Sequence, residues 1–296
     1  MKIGFFGLGS MGYGMAASLL RAGHTVWGFD VYQPQVDKLV NEGGHSGDLA
    51  SVAPELDAVV VTVLNAAQTQ SVLFGDNAVA PLLKKDTVVM ACATVAPSFA
   101  RDMDERCQKL GLLYLDAPIS GGAIKAAAGQ LSIMASGRPE TFAAAKPALD
   151  AMAETVFELG DDAGAGSAMK AVNQLLAGVH IASMAEAMTF GISQGIEAKN
   201  IVDVISKCAG TSWMFENRAP HIVDGDYTPR SAVDIWLKDL GIILDIAKES
   251  KFGAPVTAAA LQQFVAASGS GFGKEDDAAV AKIYARNANI NLPGEA

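Results

Sequence analysis

The sequence predicts an α/β fold in two parts: an N-terminal doubly wound parallel sheet, and an all-α C-terminal part that begins with a long helix. Up to about residue 160, short apolar runs alternate with helical patterns. Runs that are apolar on both faces and separated by helices are typical of a parallel sheet covered on both sides. After GDDAGAGS the apolar spacing becomes helical, and no alternating run returns.

Seven runs each predict one strand: KIGFFGL, HTVWGFDV, LDAVVVTVL, DTVVMACA, LLYLDAPI, QLSIMASG and TVFELG. Residues 167–192 lack proline and repeat apolar residues at helical spacing, which predicts one helix of roughly 26 residues, about 39 Å long. We therefore expect domains of residues 1–163 and 164–296, with this helix opening the second. Between the later helices, SGSGFG predicts a short loop, either a lid or a plain helix connection.

Composition excludes several classes of protein. The 296 residues carry a net charge of -10 and no basic run, which disfavours nucleic-acid binding through phosphate contacts. The N-terminus lacks the pattern of a secretory signal, and apolar runs such as LDAVVVTVL are too short to span a bilayer. The four histidines and three cysteines show no metal-ligand spacing, and the cysteines are expected to be buried. We expect a cytoplasmic protein without a metal or a membrane partner.

The motif GLGSMG supplies the first functional signal. It places Gly7, Gly9 and Gly12 after a predicted strand and before a predicted helix, and a second strand ends in Asp30. Alone, such a motif is more often a tight turn. In this context it predicts a dinucleotide site of the Rossmann type, in which the glycines allow the turn, the approach of the pyrophosphate and close helix packing.

Asp30 indicates which dinucleotide is bound. A carboxylate at the end of the second strand accepts hydrogen bonds from the ribose hydroxyls of the adenosine. It repels a 2′-phosphate, and no arginine follows it in DVYQPQ. The sequence therefore predicts NAD rather than NADP, although a solvated carboxylate at a strand end remains the simpler alternative.

Two further groups suit a small acid substrate. Ser120, Gly121 and Gly122 follow a predicted strand and offer a hydroxyl and two backbone N–H groups to a carboxylate, although such a tripeptide alone is more often a turn. On the long helix, Lys170 and Asn173 are three residues apart and share one face. Together they can hold one substrate hydroxyl, which Asn173 orients while Lys170 exchanges its proton, although a lysine near a helix start taken alone more often faces solvent.

These pieces together resemble the β-hydroxyacid dehydrogenase family, the group of 3-hydroxyisobutyrate dehydrogenase. The resemblance covers essentially the whole chain and rests on FFGLGSMG, ATVAP at 93–97, DAPISGG at 116–122, the Lys170/Asn173 helix and LKDLGIILDIA at 237–247. It implies a C-terminal domain like that of 6-phosphogluconate dehydrogenase, and dimers or tetramers. It also implies that hydride passes to the nicotinamide while Lys170 accepts the hydroxyl proton.

Carried over position by position, the resemblance places substrate orientation on Asn173 and carboxylate binding on Ser120, Gly121 and Gly122. The implied cofactor-binding residues are Gly7, Leu8, Gly9, Ser10, Met11, Gly12, Asp30, Leu64, Asn65, Thr94 and Lys238. Leu64 and Asn65 are assigned to a loop after the fourth strand. Ala93 stands where the family usually has serine.

Within the family, DAPISGGAIKAAAG is similar to the L-threonate dehydrogenase branch, with Lys125 able to reach a distal hydroxyl or to lie in solvent. The sequence therefore favours NAD-dependent oxidation of L-threonate. The alternatives are a 3-hydroxyisobutyrate dehydrogenase, a tartronate or succinate semialdehyde reductase, and a non-catalytic dinucleotide sensor or scaffold. The presence of both Lys170 and Asn173 disfavours the sensor.

Overall fold

In a computed structural model, which describes residues 1–294, the chain forms two compact units. The first unit is Met1–Lys170, and the second begins at Ala171. The units divide within one helix. The domain boundary that the sequence places after residue 163 stays a prediction.

The first unit is built on a five-stranded parallel sheet in the order β2-β1-β3-β4-β5. Alternate residues of its strands enter two separate cores: Val60 and Met90 lie in one, while Val59 and Val89 lie in the other. Both faces of the sheet are therefore covered, which confirms the predicted doubly wound α/β fold. The strands are β1 (Lys2–Phe6), β2 (Thr25–Phe29), β3 (Ala58–Val61), β4 (Val88–Ala91) and β5 (Leu113–Asp116).

The helices of the first unit begin where the sequence provides start signals. Pro97 and Pro139 open two of them, and the side chain of Asn65 caps another. These helices are α1 (Gly12–Arg21), α2 (Gln33–Asn41), α3 (Leu49–Val52), α4 (Ala66–Phe74), α5 (Pro97–Lys109), α6 (Gly122–Ala128) and α7 (Pro139–Met152).

The last two predicted strands belong to a second sheet, which the sequence did not distinguish from the first. This sheet contains β6 (Ile119–Ser120), β7 (Leu131–Ala135) and β8 (Ala153–Glu158), with β6 antiparallel to β7 and β8 parallel to it. In β8, Glu154, Thr155, Phe157 and Glu158 are exposed. A strand this polar does not suit the interior of a doubly covered sheet, and it pairs at an edge instead.

The predicted long helix and the helical second unit are also confirmed. Helix α8 spans Ala165–Ser193, close to the predicted 167–192. Residues 171–294 contain helices, turns and one isolated bridge between Ala232 and Asp276. The helices after α8 are α9 (Ala198–Ile205), α10 (Trp213–Asp224), α11 (Val233–Glu249), α12 (Pro255–Ala267) and α13 (Ala281–Ala288).

Helix α8 is long and apolar enough to cross a membrane by length and composition alone, with a mean hydropathy of 1.4 over 18 residues. Half of that window is buried inside the protein, and Ile181 and Met188 belong to the core of the second unit. Such burial is typical of the core helix of a soluble protein. No unbroken apolar run marks α8 in the sequence, because Asn173, Gln174 and His180 interrupt its apolar residues.

Two smaller expectations need correction or refinement. SGSGFG forms a π-helical turn, Ser268–Phe272, directly after α12, which favours the plain helix connection. The Ser268 hydroxyl donates to Asp234 at 2.6 Å, tying this turn to α11. The cysteines were expected to be buried, but only Cys92 and Cys107 are. Cys208 is exposed, because it lies in the turn after α9.

Candidate active site

The glycine-rich turn between β1 and α1 has a shape that side chains would prevent. Gly7 has a φ of +95°, and a Cβ there would overlap the carbonyl oxygen of Thr62. A Cβ on Gly12 would overlap the carbonyl oxygen of Gly7, so the start of α1 can lie this close only with glycine. At Gly9 a Cβ would meet nothing within 4 Å, and this backbone is open to an approaching ligand.

The same turn fixes Asp30 at the end of β2. One carboxylate oxygen accepts from the backbone N–H of Leu8 at 2.6 Å, and the other accepts from the N–H of Tyr32 at 2.8 Å. The carboxylate is therefore held in one orientation while the residue stays half-buried. The Leu8 side chain lies in the core, so Leu8 can meet a cofactor only through its backbone.

A cavity of about 550 Å³ opens beside Asp30 within the first unit. It brings together four of the predicted cofactor residues: Gly7, Gly9, Asp30 and Leu64. Its other lining residues include Phe29, Val31, Thr62, Val63 and Gln68. An open glycine backbone, a fixed carboxylate and an adjoining cavity together fit a dinucleotide with free ribose hydroxyls.

Leu64 and Asn65 follow β3, the third strand, and not the fourth strand to which they were assigned. Asn65 accepts from the N–H of Gln68 at 2.9 Å, and the N–H of Leu64 donates to the Gln68 side chain at 2.8 Å. These bonds define the loop at the carboxyl end of β3. Thr94 follows β4 and is half-buried. Because the strands are parallel, both segments lie at the carboxyl ends of the strands, on the same side of the sheet.

The Ser120-Gly121-Gly122 segment joins β6 to α6: Ser120 ends β6, and Gly122 begins α6. Gly121 and Gly122 have φ values of +139° and +77°, and a Cβ on Gly122 would meet nothing within 4 Å. The Gly122 backbone is therefore accessible, and both residues have a conformation that favours glycine. Lys125, on α6, forms an ion pair with Glu154 at 3.5 Å and is exposed.

The Lys170 side chain is buried, with 7% of its surface exposed. Its Nζ donates a hydrogen bond to the carbonyl oxygen of Ile119 at 2.8 Å. Ile119 directly precedes Ser120, so the structure brings the predicted catalytic amine to the segment that is predicted to bind the carboxylate. These groups are 51 residues apart in the chain.

Asp116, in the same DAPISGG segment, anchors the first turn of α8. Its Oδ2 accepts from the N–H groups of Gly164 and Ser167 at 2.9 and 2.8 Å, and its Oδ1 accepts from the Ser167 hydroxyl at 2.7 Å. The Ser136 hydroxyl also lies 3.4 Å from Oδ2. Burial raises the pKa of the Asp116 carboxyl above its usual value, while the bonds from Ser167, Gly164 and Ser136 oppose this rise.

In the second unit, a row of polar side chains starts at Asn173. The Asn173 amide nitrogen donates to Gln174 at 2.8 Å, and the Gln174 amide nitrogen donates to the carboxylate of Asp239. Lys238 contacts the other oxygen of Asp239 at 2.7 Å. The row therefore joins the predicted substrate-orienting amide to the predicted cofactor lysine.

Sequence reasoning did not single out Asp116, Ser167, Gln174 or Asp239. Each of them adjoins or lies within a motif that was quoted, but its partner is distant in the chain. A metal was not expected, and residues 1–294 contain no group of three or more His, Cys, Asp or Glu side chains that could hold one.

Comparison with known proteins gives this geometry a family. Residues 2–160 match the model of the NAD-binding domain of 6-phosphogluconate dehydrogenase. Residues 164–284 match the model described as NAD-binding of NADP-dependent 3-hydroxyisobutyrate dehydrogenase. The chain belongs to the β-hydroxyacid dehydrogenase family. It is therefore an oxidoreductase that uses NAD and acts on a hydroxy acid.

Individual β-hydroxyacid dehydrogenases resemble the chain over its whole length. An L-threonate dehydrogenase of Cupriavidus necator is 49% identical over 100% of this chain and 99% of its own. A 2-(hydroxymethyl)glutarate dehydrogenase of Eubacterium barkeri is 35% identical over 99% and 98%. The crystal structure of a 3-hydroxyisobutyrate dehydrogenase from Salmonella typhimurium matches with a TM-score of 0.90 and 48% identity, covering 96% of this chain and 99% of that one. The resemblance inferred from the motifs is thereby confirmed.

Proposed function

We propose that this dehydrogenase oxidises L-threonate, or a closely related small sugar acid, with Lys170 as the proton acceptor. The observation that carries the proposal is the buried Lys170 amine, held 2.8 Å from the Ile119 carbonyl oxygen beside Ser120, Gly121 and Gly122. The 49% identity to an L-threonate dehydrogenase supports the choice of substrate.

Lys170 and Asn173 have different roles in the proposed reaction. NAD, held by the residues around Asp30, would supply the acceptor for the hydride that leaves the carbon bearing the substrate hydroxyl. Lys170 removes the hydroxyl proton, and its hydrogen bond to Ile119 keeps the amine in place during this transfer. Asn173, one helical turn along α8, directs the hydroxyl.

We place the substrate carboxylate on Ser120, Gly121 and Gly122, where the Gly122 backbone is accessible and the Ser120 hydroxyl can donate. Lys125 is proposed to meet a distal hydroxyl of a polyhydroxy acid. The ion pair between Lys125 and Glu154 supports this role, because it keeps the ammonium near the segment while leaving it exposed.

For the cofactor, we propose that Asp30 selects NAD over NADP, since its carboxylate is fixed by two backbone N–H groups and cannot easily turn away from a 2′-phosphate. The proposed contacts are Gly7, Leu8, Gly9, Ser10, Met11, Gly12, Leu64, Asn65, Thr94 and Lys238. In an Asp30→Ala enzyme, the NAD-to-NADP ratio of kcat/KM should fall at least tenfold. An unchanged ratio would contradict this role.

The decisive experiment is NAD reduction over C3 to C6 hydroxy and sugar acids, with wild type, Lys170→Ala and Lys170→Met. L-threonate should give the highest kcat/KM. Both variants should retain NADH binding and lose at least a hundredfold in turnover. Near wild-type turnover in either variant would contradict the role of Lys170.

A second candidate is a 3-hydroxyisobutyrate dehydrogenase or a semialdehyde reductase working in the opposite direction. The structural match to a 3-hydroxyisobutyrate dehydrogenase at 48% identity supports this second candidate. Assays with 3-hydroxyisobutyrate and with tartronate and succinate semialdehydes separate these reactions from L-threonate oxidation. Binding of NADH without turnover of any substrate would leave a sensor role.

We further propose a cytoplasmic homodimer or homotetramer that assembles through α8. Val172, Leu176 and Phe190 recur on one side of this helix and are 54%, 48% and 66% exposed. An apolar stripe of this kind is typical of a subunit interface. Light scattering should give two or four times the monomer mass of 30.6 kDa for the wild type. Phe190→Glu should lower that mass, and a monomeric wild type would contradict the proposal.

We also propose the domain boundary after residue 163. The two family models support it, since one ends at residue 160 and the other begins at residue 164.

A further inference from the structure

The DAPISGG segment carries a buried carboxylate that the proposed chemistry does not use. Asp116 is 1% exposed and lies at the end of β5. The hydrogen bonds to its carboxylate come from Gly164, Ser167 and Ser136. Burying a carboxylate costs free energy unless its oxygens accept hydrogen bonds. The groups that Asp116 binds therefore indicate its role.

Asp116 holds the beginning of the helix that carries Lys170. The N–H groups at a helix start have no partner within the helix, and here those of Gly164 and Ser167 donate to a residue 48 and 51 positions away. A second bond joins the N–H of Gly166 to the Ser136 hydroxyl at 3.0 Å. A Cβ on Gly166 would lie 2.8 Å from the Asp116 carbonyl oxygen. The first turn of α8 is therefore pressed against the ends of β5 and β7.

The two ends of one short segment thus control the same helix. Asp116 fixes the first turn of α8, and three residues later the Ile119 carbonyl oxygen receives the Lys170 amine. Ser120, Gly121 and Gly122 follow at once. With both ends fixed, the distance between the amine and the proposed carboxylate site is set by the chain from Asp116 to Gly122.

We propose that Asp116 is a positioning residue for the reaction: by holding the first turn of α8, it keeps the Lys170 amine in register with Ser120, Gly121 and Gly122. This inference rests on the proposed catalytic role of Lys170. Positioning matters because a misplacement of about 1 Å in a reacting group can lower turnover about a hundredfold. The role is geometric: it needs an acceptor oxygen at Asp116 more than a negative charge.

Two substitutions separate geometry from charge. In Asp116→Asn, the amide oxygen can still accept from the N–H groups of Gly164 and Ser167, and the amide nitrogen can donate to the Ser167 hydroxyl. In Asp116→Ala, these bonds are lost. We expect Asp116→Ala to lower kcat about a hundredfold with NADH affinity within twofold of wild type, and Asp116→Asn to restore kcat to within about fivefold. Equal loss in both variants, with a shifted pH profile of kcat, would show a charge effect and overturn the proposal.

The same pair of variants, placed in Lys170→Ala, tests whether Asp116 acts through the lysine. Asp116→Ala should then change the remaining turnover less than twofold. A similar loss in both backgrounds would indicate a general structural role and overturn the proposal. Thr87→Val is the matched control, since it removes a buried hydroxyl bond to the Leu56 carbonyl at the opposite end of the sheet and should keep kcat within twofold.

A measurement without catalysis keeps this test distinct from the one on Lys170. Amide hydrogen exchange of residues 164–168 should be at least tenfold faster in Asp116→Ala than in wild type and near wild type in Asp116→Asn. If Asp116→Ala does not fold, Ser167→Ala should show a smaller increase together with a severalfold loss of kcat. Unchanged exchange would overturn the proposal, whereas full turnover in Lys170→Ala with faster exchange in Asp116→Ala would refute only the role of the lysine.

Discussion

Each compact unit buries carboxylates, and the groups that contact these carboxylates differ in charge between the two units. In the first unit, the donors to Asp116 are backbone N–H groups and hydroxyls. In the second, Asp277 faces the Arg218 guanidinium at 2.6 Å and the Trp236 N–H at 2.9 Å. The neighbouring Asp276 faces the His221 ring at 2.8 Å.

The surroundings of the three carboxyl groups shift their pKa values in different directions. Burial raises the pKa of Asp116 and of Asp277 above the usual range, in the second case against the opposing charge of Arg218. Burial also acts to raise the pKa of Asp276, but the bonds from His221, Arg230 and Ala278 outweigh it and hold that pKa below its usual value.

The two clusters hold different parts of the chain. Asp116 holds the helix turn that precedes Lys170, whose protonation changes in the proposed reaction. The backbone N–H groups and hydroxyls that donate to Asp116 are neutral. Asp276 and Asp277 instead join α10 to the segment before α13, where ion pairs can anchor the chain without affecting a proton transfer.

The largest effect should come from breaking the charged cluster. Arg218→Met leaves Asp277 buried without its cation, which typically costs about 3–5 kcal/mol. Urea unfolding should show this loss in the free energy of unfolding. As a control, Lys199→Met removes an exposed pair with Asp203 and should leave the midpoint almost unchanged. Similar midpoints for both variants would mean that the buried pair is no more important than the exposed one.

A smaller effect is expected in the neutral cluster. Ser167→Ala removes a hydroxyl bond to a carboxylate, which contributes about 1.5–3 kcal/mol. Thr189→Val, farther along α8, is the matched control, because the Thr189 hydroxyl donates to the helix carbonyls of Ala185 and Glu186 and not to a carboxylate among residues 1–294. Thermal unfolding should therefore show a clearly larger decrease for Ser167→Ala. The reverse order would contradict the role of Ser167 as a donor to a buried charge.

The comparison also shows what sequence reasoning can reach. Gly7, Gly9, Gly12 and Asp30 were assigned correctly to a turn and a strand end, because local patterns determine strands, turns and helix starts. The second sheet was missed, since the pairing of β7 with β6 rather than with β5 depends on contacts between distant segments. A periodic pattern defines a strand but does not specify its neighbour.

The candidate site divides in the same way. Lys170 and Ser120 could be selected by their chemistry and motif context. Their proximity could not be derived from spacing, because it depends on the bond from Lys170 to Ile119, 51 residues away. Asp239 was overlooked beside Lys238 for the same reason, since its partner Gln174 lies 65 residues earlier.

The dependence of stability on pH should have opposite signs for Asp116 and Asp276. The raised pKa of Asp116 means that the native state binds a proton before the unfolded state does. Wild type should therefore gain stability relative to Asp116→Asn as the pH falls from neutral towards the unfolded pKa of about 3.9. The lowered pKa of Asp276 gives stability above that pH, which is lost as the pH falls below it through the native pKa.

Urea unfolding of wild type, Asp116→Asn and Asp276→Asn between pH 7 and pH 3 measures both slopes. Each unit of pKa shift corresponds to about 1.4 kcal/mol. The wild-type advantage over Asp276→Asn should shrink only below about pH 4, whereas the change relative to Asp116→Asn should occur above it. Slopes of the same sign would show that the two clusters do not differ in the way their partners indicate.

The smallest expected effect concerns the reactivity of the three cysteine thiols. Burial raises the pKa of Cys92 and of Cys107, both in the first unit, to about 12, while Cys208 in the second unit is exposed. Only a thiolate attacks a disulfide reagent, so Cys92 and Cys107 should stay inert at pH 8 in the native protein. An aromatic disulfide should therefore titrate one thiol before unfolding and three in denaturant, and Cys208→Ser should remove the native reaction. Rapid reaction of a second native thiol would show that the core of the first unit opens far more readily than its packing indicates.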